Sequence, residues 1–252
     1  MCGLFGAIGK NWNIGIIRAL TLCNRDRGTH SLGFFDCSGN RVRRACDPFD
    51  ALRCTAVNRW LSASAKGNEN IDSSWFIAGH TRYATRGVIN RQNSHPFRFG
   101  NIIGSHNGIV EAPRRYSVDS MYLFDLLNKH DGDYNTAWHD IVGYWAVTWF
   151  DGEAFFLQTY NNTLYIGMAD DGVLYYSSER GHLETCIGKS AGMHRLGFGE
   201  TIKFTYVDDE LEWNDCDKFV GCNIGYWEYR HGVSNAKWRR DTKNADGGYI
   251  LT

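Results

Sequence analysis

Short apolar runs rich in aromatic and β-branched residues recur along the chain, a pattern typical of buried β-strands. The runs predict strands at Cys2–Ile8, Leu32–Cys37, Trp75–His80, Ile102–His106, Tyr144–Phe150, Ala154–Thr159, Leu164–Met168, Val173–Ser177 and Glu200–Tyr206. Several runs follow one another with no helical pattern between them, so we expect a chain rich in sheet.

Apolar residues recur with helical spacing in other segments. They predict helices at Asn13–Asn24, Phe49–Leu61, Asp119–Lys129 and, from a weaker pattern, Arg180–Ile187. These helices are fewer than the strands and lie between groups of them. The arrangement favours two stacked sheets with helices outside over a doubly wound parallel sheet.

Polar and small residues predict three loops. They are Ser62–Ser74, Thr85–Gly100 and the tail from about Asp215 onward. The tail mixes tryptophan and tyrosine with arginine and lysine, a composition that suits docking to a partner or a nucleic acid. It is more typical of a solvated, partly ordered extension.

The amino-acid composition and net charge limit the classes of protein to which this chain can belong. The 252 residues are 43% hydrophobic and 22% charged, with a net charge of −1, which describes one domain or at most two small ones. This balance gives no reason to expect nucleic acid or a membrane surface as a partner, and no apolar run reaches the ~18 residues of a membrane span. The N-terminus lacks the basic region and cleavage site of a secretory signal, so we expect a cytoplasmic protein.

The cysteines and histidines do not have metal-binding spacing. The chain has 8 Cys and 9 His, but no C-x-x-C pair and no H-E-x-x-H, so no metal site is expected. In a cytosolic chain, most of these cysteines are expected to be small buried residues rather than disulfides.

Cys2 is a candidate nucleophile because removal of Met1 would give it both a thiol and a free α-amine. An α-amine has a reference pKa of ~7.7–8.0, so near neutral pH it can accept the thiol proton. Considered alone, a cysteine at this position is more typical of a core residue. The motifs that follow it along the chain change this assessment.

Six motifs follow in order: Arg27–Gly33, His80–Gly87, Asn93–Pro96, His106–Ile109, Val118–Ser120 and Tyr176–Glu179. Together with the MCGLFG start, they resemble the class II glutamine amidotransferases. This family of N-terminal-nucleophile enzymes includes the amidotransferase domains of glucosamine-6-phosphate synthase and asparagine synthetase. A single H-N-G-I would be weak support, but this many motifs in the family's order are specific.

The resemblance implies an α+β fold, the four-layer αββα sandwich of N-terminal-nucleophile hydrolases, over residues 1–215, followed by an extension of unknown role over 216–252. It implies hydrolysis of L-glutamine to glutamate and ammonia through a Cys2 thioester, with no cofactor and no metal. Relatives fuse this domain to a synthase or synthetase, for which the chain has no room. We therefore expect a separate partner enzyme that accepts the ammonia.

The resemblance also assigns site residues. The catalytic set is Cys2 with the oxyanion donors Asn107 and Gly108, and the glutamine-binding set is Arg82, Tyr83, Thr85, Arg86, Gly87 and Asp119. In this assignment Arg82 binds the α-carboxylate, Asp119 binds the α-ammonium, and Thr85, Arg86 and Gly87 open a lid over the substrate. Locally, Asn-Gly is also typical of a hairpin turn, and Asp119 of a helix N-cap.

Two positions depart from the family pattern. His30 stands where the family has Asp, and Arg86 stands where glucosamine-6-phosphate synthases have His.

Two other functions stay open at this point. One is an N-terminal-nucleophile amidase acting on a γ-glutamyl or other amide. The other is a catalytically silent subunit that binds glutamine or a partner, although the joint presence of the five residues Cys2, Arg82, Asn107, Gly108 and Asp119 argues against it.

Overall fold

The computed structural model describes residues 1–66, 73–189, 192–216, 238–243 and 249–251, with side chains described up to residue 214. The strands in these ranges are β1 (Gly3–Ile8), β2 (Ser31–Asp36), β3 (Arg41–Arg44), β4 (Phe76–Arg82), β5 (Phe97–Phe99), β6 (Ile102–Val110), β7 (Gly143–Phe150), β8 (Phe155–Tyr160), β9 (Tyr165–Met168), β10 (Leu174–Ser177), β11 (Met193–Arg195), β12 (Thr201–Val207), β13 (Glu210–Cys216), β14 (Trp238–Lys243) and β15 (Tyr249–Leu251). The helices are α1 (Ile14–Cys23), α2 (Pro48–Arg53), α3 (Thr55–Lys66), α4 (Asp119–Lys129), α5 (Tyr134–His139) and α6 (Arg180–Ile187), with a 3-10 turn at Asn24–Arg27.

Two antiparallel sheets form the centre of the molecule. The first has the strand order β11-β9-β10-β1-β4-β2-β3, and the second has the order β13-β12-β8-β7-β6-β5. Strand β1 is the middle strand of the first sheet, so the N-terminal residues lie between β10 and β4. The described tail strands β14 and β15 pair with each other.

Alternation along the strands produces three apolar layers. Between the sheets, Leu4 and Ile8 of β1 pack with Ile103 of β6 in one core. The other faces pack against helices: Phe5 lies with α1, α3 and α6, while α4 and α5 cover Trp145 of the second sheet. The architecture is therefore αββα, as expected. Fully burying a large apolar side chain contributes about 1.5–3 kcal/mol, so the three cores drive the stacking of these layers.

The helix predicted over Phe49–Leu61 is in fact two helices. Cys54 adopts an extended conformation between α2 and α3, and the Asn58 side chain donates to the Leu52 carbonyl at 2.8 Å. This bond satisfies a C-terminal carbonyl of α2, which makes the break tolerable. Apolar spacing continues across the break and cannot reveal it. Helix α3 also runs on to Lys66, into the predicted loop Ser62–Ser74.

Several short elements were not predicted, because their sequences are mostly polar or too short to show periodicity. Strand β3 is a charged edge strand paired to β2, and β5 lies inside the predicted loop Thr85–Gly100. Strand β11 and helix α5 were also missed, and β13 crosses the predicted start of the tail at Asp215. The rest of the predicted tail, over 217–237, 244–248 and 252, lies outside the described residues.

The described cysteine side chains differ from the expectation. All six are free thiols in the described ranges, and each is half-buried rather than fully buried. Three of them flank strands, two lie in helices, and one lies between α2 and α3. The six are Cys2, Cys23, Cys37, Cys46, Cys54 and Cys186.

A glycine-to-alanine pair tests the packing of the first sheet. A Cβ at Gly33 of β2 would overlap the His95 carbonyl oxygen, while a Cβ at Gly181 of α6 would meet nothing within 4 Å. Gly33→Ala is therefore expected to lower the free energy of unfolding by about 1–3 kcal/mol or more. Gly181→Ala is expected to raise it by about 0.5–1 kcal/mol. Urea unfolding measures both, and equal stability of the two variants would contradict this packing.

Candidate active site

Cys2 lies immediately before β1, at the end of the sheet where β4 also ends. Its side chain follows Leu4 in the strand alternation and so faces the second sheet. Its Sγ donates to the Tyr83 carbonyl at 3.6 Å and accepts from the Tyr83 N–H at 3.4 Å. Burial and, to a smaller extent, the charge of Asp119 raise the pKa of this thiol, and together they outweigh the Tyr83 N–H, the N-terminal amine and Arg82, which lower it. The thiol is thus neutral at pH 7 and needs a base to react.

Arg27 holds the backbone of Cys2 in place, a contact not anticipated from the sequence. Its Nε donates to the Cys2 carbonyl at 2.8 Å, and its other end forms an ion pair with Glu179. Arg27 is the first residue of the motif Arg27–Gly33, and Glu179 is the last residue of the motif Tyr176–Glu179, about 150 positions later in sequence. The presence of both residues in these motifs was the signal in the sequence that could have indicated the contact. Because the guanidinium is nearly buried, it fixes the cysteine against the 3-10 turn.

Arg82 is a buried cation at the end of β4. Its Nη2 donates to the Arg86 carbonyl at 2.6 Å and its Nη1 to the Val88 carbonyl at 3.5 Å. Burial lowers its pKa, and the negative charge of Asp119 opposes that effect. No carboxylate in the described ranges forms an ion pair with it. A desolvated guanidinium without a counter-ion favours binding of an anionic group.

The segment after β4 closes onto a neighbouring loop. Arg86 donates to the Tyr116 carbonyl at 3.0 Å, and Gly87 has a φ of +76°. A Cβ at Gly87 would come within 2.8 Å of the Ser117 carbonyl oxygen, so glycine permits this close approach. Thr85, which lies between the end of β4 and Arg86, is exposed. Arg86, which stands where glucosamine-6-phosphate synthases have His, thus links the segment to the loop before α4.

Asn107 and Gly108 lie inside β6, opposite Ala146 and Trp145 of β7. The hairpin-turn alternative for this pair is therefore wrong. Asn107 is 3% exposed, and its Nδ2 has no hydrogen-bond partner among the described residues. Gly108 has a φ of +154°, and a Cβ there would overlap the Tyr144 carbonyl oxygen. A buried donor without a partner is costly unless something binds it.

Asp119 is the first residue of α4 rather than its N-cap, which is Val118. Its Oδ1 accepts from the Ser120 N–H at 3.0 Å and its Oδ2 from the Val110 N–H at 3.2 Å. Two backbone donors thus orient a half-buried carboxylate. Because its charge acts on both Cys2 and Arg82, these three groups share one electrostatic environment.

His30 occupies the place of the family's Asp and still acts as an acceptor. Its Nδ1 accepts from the Ala84 N–H at 2.8 Å, and its ring stacks on Tyr83 with 4.9 Å between centroids. An imidazole nitrogen thus supplies the lone pair that a carboxylate oxygen would supply. His30 therefore supports the Tyr83–Ala84 backbone, and the Tyr83 part of that backbone hydrogen-bonds to the Cys2 thiol.

The described ranges contain no group of three or more His, Cys, Asp or Glu side chains arranged to hold a metal ion. No helix in the same ranges combines the length and apolarity required to cross a membrane.

Comparison with known proteins adds sequence relatives. No family model matches the chain. Over 114 residues, 44% of the chain, it is 33% identical to glutamine–fructose-6-phosphate aminotransferase (isomerizing) from Caulobacter vibrioides. The protein of the same name from Buchnera aphidicola is 34% identical over 116 residues. The chain spans 17% of the length of each of these relatives.

Solved structures share the fold. Glutamine phosphoribosylpyrophosphate amidotransferase from B. subtilis matches with a TM-score of 0.63 and 19% identity, covering 88% of this chain and 50% of that one. A glutamine aminotransferase class-II domain protein from Silicibacter pomeroyi matches with a TM-score of 0.51 and 13% identity, covering 87% of this chain and 100% of that one. The resemblance to class II glutamine amidotransferases is confirmed. The αββα layers match the fold of these solved structures, and the residues in the motifs Arg27–Gly33, His80–Gly87, His106–Ile109 and Val118–Ser120 meet at one end of the two sheets.

Proposed function

We propose that this protein is a glutamine amidotransferase that hydrolyses L-glutamine to glutamate and ammonia at Cys2. One observation carries the proposal: the Cys2 thiol hydrogen-bonds to the backbone of Tyr83, directly after Arg82, whose guanidinium has no ion-pair partner among the described residues, and the Asp119 carboxylate is near enough to act on the pKa of both Cys2 and Arg82. A nucleophile beside one fixed cation and one fixed anion suits an amino-acid substrate, which carries both opposite charges on its α-carbon. The sequence relatives and the shared fold support the same reaction.

Removal of Met1 would create the base that the raised thiol pKa requires. The freed α-amine of Cys2 takes the thiol proton through a water molecule, and the sulfur attacks the side-chain amide carbon of glutamine. Arg27 supports this step because its bond to the Cys2 carbonyl keeps the cysteine from rotating.

The attack produces a tetrahedral intermediate with a negative oxygen. In this proposal the Asn107 Nδ2 and the Gly108 N–H donate to that oxygen. The unpaired state of Nδ2 supports the role, since the intermediate would supply its missing partner. Collapse breaks the C–N bond while the α-ammonium of Cys2 returns its proton to the leaving nitrogen, which releases ammonia and leaves a Cys2 thioester. Water then hydrolyses the thioester to glutamate and the free thiol.

Substrate recognition is proposed to divide between two charges. Arg82 offers a planar fork for the α-carboxylate, and Asp119 accepts from the α-ammonium while its orientation is fixed by backbone donors. The backbone N–H and carbonyl of Tyr83 both hydrogen-bond to the Cys2 thiol. Thr85, Arg86 and Gly87 belong to the segment that would cover bound glutamine and exclude water.

Ammonia is proposed to pass to an acceptor enzyme. The names of the sequence relatives describe transfer from glutamine to an acceptor rather than hydrolysis alone. Ammonia equilibrates rapidly with water, so transfer needs a route closed to solvent, which the covering segment would help to provide.

The proposal predicts glutamate release by the purified protein and a marked dependence on Arg82. Arg82→Lys keeps the charge but loses the bidentate fork, so kcat/KM for glutamine is expected to fall by the equivalent of about 2–3 kcal/mol. Coupled detection of glutamate and ammonia, with N-terminal sequencing to verify that Met1 is absent, provides the measurement.

Arg98→Lys is the matched control, because Arg98 is exposed on β5 and has no proposed role in the reaction. Its kcat/KM should equal that of the wild type. Hydrolysis of γ-glutamyl amides in preference to glutamine would replace the proposal by a related amidase. Binding of glutamine without any release of glutamate would replace it by a silent subunit.

A further inference from the structure

Behind the candidate site, the buried residues His80, His106 and Ser120 are linked into a chain by two hydrogen bonds, one to a backbone carbonyl and one between side chains, that run from one sheet to the other and on to α4. The His80 Nε2 lies 3.0 Å from the His106 carbonyl oxygen, and the His106 Nδ1 lies 3.0 Å from the Ser120 Oγ. The exposures of His80, His106 and Ser120 are 1%, 2% and 3%. The chain therefore joins β4, β6 and α4 in a region without solvent contact.

The partner of the His80 ring determines where that ring carries its proton, and burial keeps both histidine rings neutral. A carbonyl oxygen only accepts, so the His80 Nε2 must carry the proton it donates. Burial lowers the pKa of His80 to about 3 and also lowers the pKa of His106. Both rings are thus neutral at pH 7, and their effect on the site is one of geometry rather than charge.

Each member of the chain lies next to a proposed site residue. His80 is on the same face of β4 as Arg82, two positions earlier. The carbonyl that it binds belongs to the peptide group joining His106 to Asn107, so this bond holds the plane of that peptide. At the other end, Ser120 donates its N–H to the carboxylate of Asp119.

We propose that His80, His106 and Ser120 are positioning residues that hold Asn107 and Asp119 in their working geometry; this inference rests on the proposed function. An oxyanion donor must point at the position where charge develops, and small misplacements are costly in rate. The chain couples that donor to the carboxylate that binds the α-ammonium, because His106 contacts Ser120 and precedes Asn107. The two functional groups are thereby fixed relative to each other.

The test pairs each disruptive variant with one that keeps the hydrogen-bonding atom. Ser120→Ala loses the hydroxyl next to Asp119 and is expected to raise KM for glutamine by about 3- to 10-fold. His80→Leu loses the donor behind Asn107 and is expected to lower kcat by a similar factor. Ser120→Thr and His80→Gln keep a hydroxyl and an amide donor respectively, and each should restore most of the loss. Steady-state kinetics and thermal unfolding are measured on all four.

Ser105→Ala is the matched control, because it removes another buried hydroxyl from β6 that has no partner among the described residues. Its KM and kcat should equal those of the wild type. Equal kinetics in Ser120→Ala, or loss of activity in step with stability and without rescue by Thr and Gln, overturns the positioning role while the proposed function stands. If His80→Leu does not fold, the Ser120 pair decides. A wild type that neither hydrolyses glutamine nor reacts at Cys2 overturns both proposals.

Discussion

Cys2→Ala is expected to abolish glutamine hydrolysis, with kcat falling by at least about 10⁴-fold. The thiol is the group that forms the covalent intermediate, and loss of a nucleophile removes the whole reaction path rather than one stabilising contact. The fold should persist, since the thiol is half-buried and its hydrogen bonds to described residues go to the Tyr83 backbone. The measurement is glutamate release together with intact-mass analysis after treatment with a glutamine-like diazo-ketone, which should add one label at Cys2.

Cys23→Ala provides the matched control, because Cys23 is another half-buried free thiol, at the end of α1. It should keep wild-type activity and a single label. A second comparison uses protein that retains Met1, in which the cysteine has no free α-amine and should be inactive. Labelling that survives in Cys2→Ala, or full activity with Met1 in place, would remove the N-terminal nucleophile from the mechanism.

Asn107→Ala is expected to lower kcat by about 10²–10³-fold, with a small change in KM. An oxyanion donor acts on a charge that exists only in the transition state, so its loss affects turnover more than substrate binding. The buried Nδ2 without a partner supports this expectation. Steady-state kinetics with glutamine provide the measurement, and unfolding curves show whether the buried truncation has also disturbed β6.

Asn107→Asp separates the donor from the shape of the side chain. It preserves the size of the asparagine but replaces the N–H donor with a negative oxygen that would repel the intermediate. Its kcat should fall at least as far as that of Asn107→Ala, while Ser105→Ala on the same strand should be unaffected. Wild-type turnover in both Asn107 variants would leave the Asn107-Gly108 pair with a structural role only.

The sequence by itself determined the strands that carry the site. Apolar runs located β1, β4 and β6, but the predicted runs ended at His80 and His106, short of Arg82 and Asn107, which only the motifs identified. The ordered motifs supplied the candidate chemistry because residues within a motif are close in sequence. Local sequence patterns did not predict the helix break at Cys54, because the apolar spacing continues across it. They also did not predict strand β3, because its charged sequence has no apolar pattern.

Only the tertiary structure decided how distant segments support one another. Strand β1 lies between β10 and β4, which brings Arg27 and Glu179 together behind the Cys2 backbone. The stacking of the two sheets sets His80 against the backbone before Asn107. The physical reason is that periodicity reports which face of a strand is buried, whereas sheet order and the stacking of layers decide which buried polar groups meet.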